Sequence, residues 1–159
     1  MSEIKPWKRK QAKVIAECRI FNVNECLAES PITSKEHTFY FLETTDWVNI
    51  VPMTDAGEVV CIRQYRHGSE SITIEIPGGM VDAGEQPGIA AARECLEETG
   101  YEVSEIESLG ILNPNPAIQS NRLHTYLGRG ADLVHEIQNT QTEQTEVVLL
   151  SLDRVKQML

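Results

Sequence analysis

Cys-x-x-Cys pairs are missing from this sequence. Cys18, Cys26, Cys61 and Cys95 lie far apart, so neither a zinc site nor a disulfide framework is indicated, and the thiols are expected to be reduced and mostly buried. No apolar run approaches the roughly 20 residues that span a bilayer. The basic N-terminal stretch MSEIKPWKRKQAK contains no apolar segment of the signal-peptide kind. The expectation is a soluble, cytoplasmic protein with no membrane partner. Positive charge is also in short supply, with 14 Lys and Arg against 24 Asp and Glu and a formal net charge of -10. That balance argues against a nucleic-acid partner, which would require a basic face turned to the phosphates. It does not exclude a phosphate ligand, because bound cations can reverse the local field. Internal repeats and low-complexity segments are absent, and 159 residues with 41% hydrophobic content suit one globular domain with a real core.

What is present is strand pattern for most of the length and one strong helix. AKVIAECRIFNV and EHTFYFLETT alternate β-branched and aromatic residues, and the intervening ESPITSKE reads as a turn, which predicts two N-terminal strands. WVNIVPM and EVVCIRQYR flank the turn residues of TDAGE and predict a hairpin. ITIEIP follows, with Ile72, Ile74 and Ile76 on one face, Thr73 and Glu75 on the other, and Pro77 as its end. IESLGIL, RLHTYLG and EVVLLSL read as further strands, and DRVKQML as a terminal helix with Val155, Met158 and Leu159 on its apolar face. Between them lie the Asn- and Pro-rich NPNPAIQSN and the polar HEIQNTQTEQT. The fold class expected is α/β or α+β. Residues 1–45 form an N-terminal β-element and 46–159 the main domain.

The stretch GGMVDAGEQPGIAAARECLEETGY, residues 78–101, carries the chemistry. Pro87 suits a first helical turn and Gly100 a C-terminal stop, which predicts a helix over about 87–99. At 100° per residue Ile89, Ala92, Leu96 and Thr99 share one side, with Cys95 at its margin, while Glu94, Glu97 and Glu98 fall on the other. Like charges at this spacing repel by a few tenths of a kcal/mol per pair, and the only basic side chain nearby is Arg93. An acidic solvated face is the plain explanation. It accounts neither for the missing lysines nor for the two glycines ahead of the helix. Hard divalent cations take oxygen ligands and bridge carboxylates to phosphates, so a metal site is the sharper reading.

The same stretch resembles the Nudix box, G-x5-E-x7-R-E-U-x-E-E-x-G-U with U apolar, through Gly79, Glu85, Arg93, Glu94, Cys95, Glu97, Glu98, Gly100 and Tyr101. Every fixed position matches, and Cys95 stands where the family prefers a larger aliphatic. The resemblance implies an α/β/α sandwich with a mixed β-sheet, preceded here by the N-terminal strands. It implies Mg²⁺, with Mn²⁺ as a substitute, held mainly by Glu94 and Glu98, supported by Glu97 and by the carbonyl of Gly78. Arg93 and Glu85 are similar to family residues that orient this cluster by ion pairing, and Gly79 and Gly100 to its structural glycines.

Outside the box, the QYR segment, the strand end EIPGG and Pro116 resemble the ADP-ribose pyrophosphatase and nucleoside-diphosphate-sugar hydrolase branch. This implies hydrolysis of ADP-ribose or a related nucleotide sugar to a nucleoside monophosphate and a sugar phosphate, and a homodimer built with the N-terminal strands. Alternatives are a Nudix hydrolase of another nucleotide class (GDP-mannose, dinucleoside polyphosphate, nucleoside triphosphate) and a non-catalytic ADP-ribose sensor. Candidate substrate residues are Arg66, Glu75, Trp47 and Pro116. Against these stand plainer roles: Glu75 as ion-pair partner of Arg66, Trp47 as core. Glu143 occupies the place where the branch often carries a loop glutamate near the attacked phosphorus. It is the candidate catalytic base, with Glu146 as runner-up and an ordinary exposed loop residue as the plain reading.

Overall fold

The structure is a computed structural model that describes residues 4–137, 139 and 144–158. The chain folds as two compact units, one running up to Thr45 and including Asn113–Arg122, the other comprising Asp46–Leu112 and the chain from Leu123 onward. The first unit is an antiparallel sheet in the order β1 (Lys8–Glu17), β2 (Asn22–Glu29), β3 (Glu36–Glu43). Three strands stand where the sequence pattern predicts two. The apparent strand over 12–23 is broken by a tight turn in which the N–H of Cys18 donates to the carbonyl of Phe21 at 2.9 Å. That turn, Cys18–Arg19–Ile20–Phe21, holds neither Gly nor Pro, so it carries no composition signal. On β2 the buried residues Asn24, Cys26 and Ala28 alternate with partly exposed ones, as a half-covered strand should. Residues 113–122, assigned by sequence to the main domain, pack in this unit. The N–H of Leu42 donates to Ile118 O at 2.7 Å and the N–H of Ser120 to Leu42 O at 3.1 Å.

The second unit holds a seven-stranded mixed sheet. Its strands are β4 (Trp47–Met53), β5 (Glu58–Arg66), β6 (Ser71–Glu75), β7 (Gly78–Met80), β8 (Tyr101–Leu112), β9 (Leu123–Leu133) and β10 (Thr145–Ser151). The main path runs β10-β5-β4-β9-β8, with β6 beside β5 and β7 beside β4. β4 and β9 are parallel and the other pairs antiparallel. The mixed sheet and helices give the α+β class expected. The β4–β5 hairpin turns through Thr54 and Gly57, whose φ of 79° suits glycine. β7, read as loop from the sequence, is a three-residue strand too short to carry a pattern.

Helix α1 (Pro87–Thr99) has the predicted bounds, with proline in its first turn and Gly100 in the left-handed region as its C-cap. Its buried face is not the predicted one. Ile89 is 59% exposed, and the residues turned inward are Ala90, Ala91, Cys95, Glu98 and Thr99. Small side chains let the helix lie close to Val48 and Ile50 of β4 in the core. Each such buried aliphatic contributes about 1.5–3 kcal/mol, which sets the helix over the middle of the sheet. The terminal helix α2 (Leu152–Met158) buries no residue fully. Val155 is half-buried and Met158 is 44% exposed, whereas Leu159 lies outside the described residues.

Candidate active site

Two glycines of β7 face α1 and β4 with no room for side chains. A Cβ on Gly79 would stand 2.5 Å from the Glu94 carboxylate carbon, and one on Gly78 would stand 2.3 Å from the carbonyl oxygen of Val48. Side-chain-free backbone therefore lets the helix carboxylates approach the strand. The N–H of Gly78 donates to Oε2 of Glu98 at 2.8 Å. Glu98 is only 6% exposed, and a buried carboxylate is tolerated only when hydrogen-bonded or charge-compensated. This corrects the expected common face for the three glutamates. Glu94 and Glu98, one turn apart, are turned inward beside β7, while the side chain of Glu97 is 60% exposed. The glycine pair is visible in the sequence, but only the fold shows what it makes room for.

Arg93 joins the remaining acids. Its Nε and Nη2 reach the two carboxylate oxygens of Glu85 at 3.0 and 2.9 Å, Nη1 reaches Glu94 at 2.8 Å and Glu97 at 3.1 Å, and Nη2 also donates to Met80 O at 3.2 Å. The bidentate pair with Arg93 holds the Glu85 carboxyl below its usual range, helped by the backbone N–H of Asp82. The guanidinium is in turn held more firmly protonated, foremost by Glu85. One guanidinium thus serves Glu85, Glu94 and Glu97, with Glu98 buried next to them, so negative charge is in excess. Among the described residues no three His, Cys, Asp or Glu side chains stand close enough to form a complete metal cage. The donor set fits a hard cation that keeps water and ligand oxygens in much of its shell, as Mg²⁺ does. In such a site Glu94 and Glu98 would supply the protein oxygens.

Register extends the site across the sheet. Thr145 of β10 and Thr73 of β6 both pair with Gln64 of β5, and the hydroxyl of Thr145 donates to the carbonyl of Glu98 at 2.9 Å. Gln64 therefore points to the sheet face that carries α1. Arg66, two residues on, shares that face. Its Nε and Nη2 bind the carboxylate oxygens of Glu75 at 2.9 and 2.6 Å. Arg66 holds the Glu75 carboxyl below its ordinary value. Candidate residues 66, 75, 94 and 98 are thus on one side of one sheet. Glu146 lies on the other: it is paired in register with Arg63, bonds it at 3.2 Å, and its side chain is 69% exposed. Trp47 is half-buried at the start of β4, paired with Met80 and Leu123. Pro116 belongs to the first unit. Glu143 lies outside the described residues.

Sequence reasoning missed four polar residues: Thr145, Asn139, and the pair of His124 Nε2 with Asp46 Oδ2 at 3.1 Å. Nothing in the spacing of the histidines points to Asp46, because the two residues meet only through the parallel pairing of β4 with β9.

The sequence model of the NUDIX domain matches residues 43–159. The chain belongs to the Nudix family. Within it, the chain is 30% identical over 154 residues to a CMP-5'-(N-acetyl-N-hydroxy-3-aminopropyl)phosphonate hydrolase of Streptomyces rubellomurinus, covering 96% of this chain and 73% of that protein. It is 27% identical over 107 residues to the ADP-ribose pyrophosphatase of Bacillus subtilis, covering 67% of this chain but 58% of the relative. The fold matches a crystal structure of an ADP compounds hydrolase with a TM-score of 0.84 at 22% identity, over 99% of this chain and 85% of that one. The family expected from the box is the family found, and ADP-ribose pyrophosphatases are among its relatives. The Nudix box is the span from Gly79 to Tyr101 whose geometry is described above.

Proposed function

We propose that the protein is a Mg²⁺-dependent hydrolase of nucleoside diphosphate sugars, with ADP-ribose as the first substrate to consider and AMP and ribose 5-phosphate as products. The observation that carries this reading is the row of Glu94 and Glu98 against the glycine pair of β7, with Arg66 on the same face of the sheet. The names of its relatives support the substrate class.

Glu94 and Glu98 hold the cation in this reading, with Glu97 and the carbonyl of Gly78 in support. Mg²⁺ or Mn²⁺, when bound, supplies the positive charge that a diphosphate needs before a nucleophile can approach it. Arg93 keeps Glu94 and Glu97 in place and stays protonated at any working pH. Arg66 contributes a guanidinium to phosphate or ribose, oriented by its fork on Glu75. Trp47 contributes apolar wall. Glu143 accepts the proton of the attacking water, because the box carboxylates are taken up by the cation and by Arg93 in this reading. Glu146 is a weaker candidate, since it points away from α1 and is bonded to Arg63. The N-terminal sheet serves as a homodimer contact, supported by exposed Val14, Ile15, Phe39 and Tyr40; the location is cytoplasmic.

A panel of ADP-ribose, GDP-mannose, a dinucleoside polyphosphate and a nucleoside triphosphate, incubated with and without Mg²⁺ and resolved by chromatography, tests the reading. Metal-dependent AMP from ADP-ribose is expected. Preferred cleavage of a triphosphate or dinucleotide would reassign the substrate, and binding of ADP-ribose without turnover would make the protein a sensor.

A further inference from the structure

Among the described residues four buried side-chain polar atoms meet no hydrogen-bond partner: Asn49 Oδ1, Gln64 Nε2 and both terminal atoms of the Asn121 amide. Buried polar groups are nearly always satisfied, so each of these atoms calls for a reason. Asn49 alternates along β4 with Val48 and Ile50, which pack under α1, and it therefore lies on the opposite face of the sheet. Asn121 belongs to the first unit. Gln64 is the one that stands on the face carrying α1.

The neighbours of Gln64 are two parts of the candidate site. On one side it is paired in register with Thr145, whose hydroxyl donates to the carbonyl of Glu98 at 2.9 Å. On the other it is paired with Thr73, whose hydroxyl donates to Oε1 of Glu75. Directly opposed side chains on one face of an antiparallel pair stand about 5 Å apart. Gln64 therefore sits between the last turn of the box helix and the Arg66–Glu75 pair. The hydroxyls beside it are engaged, as is the N–H of Gly78 on the Glu98 carboxylate.

Register also shows what lies over it. Arg66 is opposite Ser71, Gln64 opposite Thr73, and Ile62 opposite Glu75, so three successive rows share this face. The fork from Arg66 to Glu75 joins the first row to the third and crosses the second, where Gln64 lies 7% exposed. An Arg66 that keeps one bond to Glu75 and turns its other N–H groups toward a phosphate uncovers the amide beneath. We propose that Gln64 is a substrate-binding residue, whose side-chain N–H groups donate to an oxygen of the diphosphate held between the box carboxylates' cation and Arg66. The inference deepens the reading of the protein as a hydrolase of nucleoside diphosphate sugars and rests on it for the class of ligand.

The test uses the full chain and Gln64→Met, which keeps the length of the side chain and removes the donor. The probes are Mg²⁺ with α,β-methylene ADP-ribose or with ADP, titrated by calorimetry. Because the amide has no partner to lose, the thermal midpoint of Q64M before any probe is added should equal or exceed that of the wild type, and its rise with Mg²⁺ should be kept. Affinity for the methylene analogue should fall about tenfold or more, and affinity for ADP by the same factor within about threefold, since the contact is with the diphosphate common to both. In the wild type the side-chain amide resonances of Gln64, assigned by their absence from Q64M, should move when the analogue is added. A lower midpoint for Q64M would make the amide structural and overturn the inference. So would an unchanged affinity, unmoved resonances, a loss confined to the methylene analogue, or a wild type that does not bind the analogue. A wild type that binds the analogue through Gln64 but releases no AMP from ADP-ribose would sink the hydrolase reading and leave this inference standing.

Discussion

Glu75 and Arg66 illustrate how a pair can hold a candidate site residue in place at little net gain in stability. Glu75 is held below the ordinary carboxylate range, mainly by the hydrogen bonds from Arg66. A lowered folded-state value means that the pair stabilises the protein above the unfolded carboxylate value, about 4.3, and that this contribution fades as pH falls through the lowered value. The Arg66 side chain is 47% exposed, so solvent screening keeps the gain to about 1 kcal/mol or less. Glu75→Gln should therefore be slightly less stable than wild type near pH 7, and the difference should shrink as the pH is lowered below the ordinary carboxylate range, as urea unfolding across a pH series would show. A difference that grows in acid would give the pair the wrong sign.

The thiols make a second test at this scale. Cys18 is exposed and Cys26, Cys61 and Cys95 are buried. Burial pushes the Cys95 thiol up to about 11, and it pushes Cys61 up as well. In the native protein a disulfide thiol reagent at mildly alkaline pH should modify Cys18 alone, and after denaturation all four cysteines. Rapid native reaction of Cys95 would contradict the packing of α1. Single residues are partly legible from the sequence. The box singles out Glu94, Glu97 and Glu98 as candidates, because their spacing is rigid along a helix. That Glu98 is buried and Glu97 is not depends on what lies opposite each of them, and no helical wheel contains that information.

At the scale of elements, the bounds of α1 are legible in the sequence, since proline and glycine mark its ends physically. Its orientation is not. An apolar-moment argument puts Ile89 inward, but a sheet that approaches through alanine, cysteine and glycine rewards closeness over bulk, and Ile89 is left outside. The strand count of the first unit escapes the sequence pattern for a similar reason, because the turn after β1 uses residues that look like strand. β7 gives the sharpest test of an element. Gly79→Ala places a methyl 2.5 Å from the Glu94 carboxylate carbon, so the carboxylate must move. The side-chain end is flexible and the unfolding cost should stay within about 0.5–3 kcal/mol, the range of ordinary point substitutions. The activity should fall at least tenfold. Parallel thermal melts and ADP-ribose assays of G79A check this; unchanged activity would mean that the position of Glu94 does not matter.

At the scale of the whole molecule, an excess of acid and the proposed phosphate-bearing substrate are reconciled by a bound cation. The net charge of -10 repels a diphosphate, and the gathering of Glu85, Glu94 and Glu97 around the guanidinium of Arg93 makes the box region a place where a cation gains. The thermal midpoint of the metal-free protein should therefore rise when millimolar Mg²⁺ or Mn²⁺ is added, by mass action on the folded state, and the shift should be reduced in Glu98→Gln. The central claim is that the inward carboxylates of α1 make the hydrolytic site, and it meets its most direct test in the rate of AMP formation from ADP-ribose by Glu98→Gln, followed across Mg²⁺ concentration beside the wild type. Gln keeps the shape and an acceptor for the Gly78 N–H, so the variant should fold as the wild type does. The account predicts a rate at least about 10²-fold lower that saturating Mg²⁺ does not restore; wild-type turnover by this variant at saturating Mg²⁺ would contradict it.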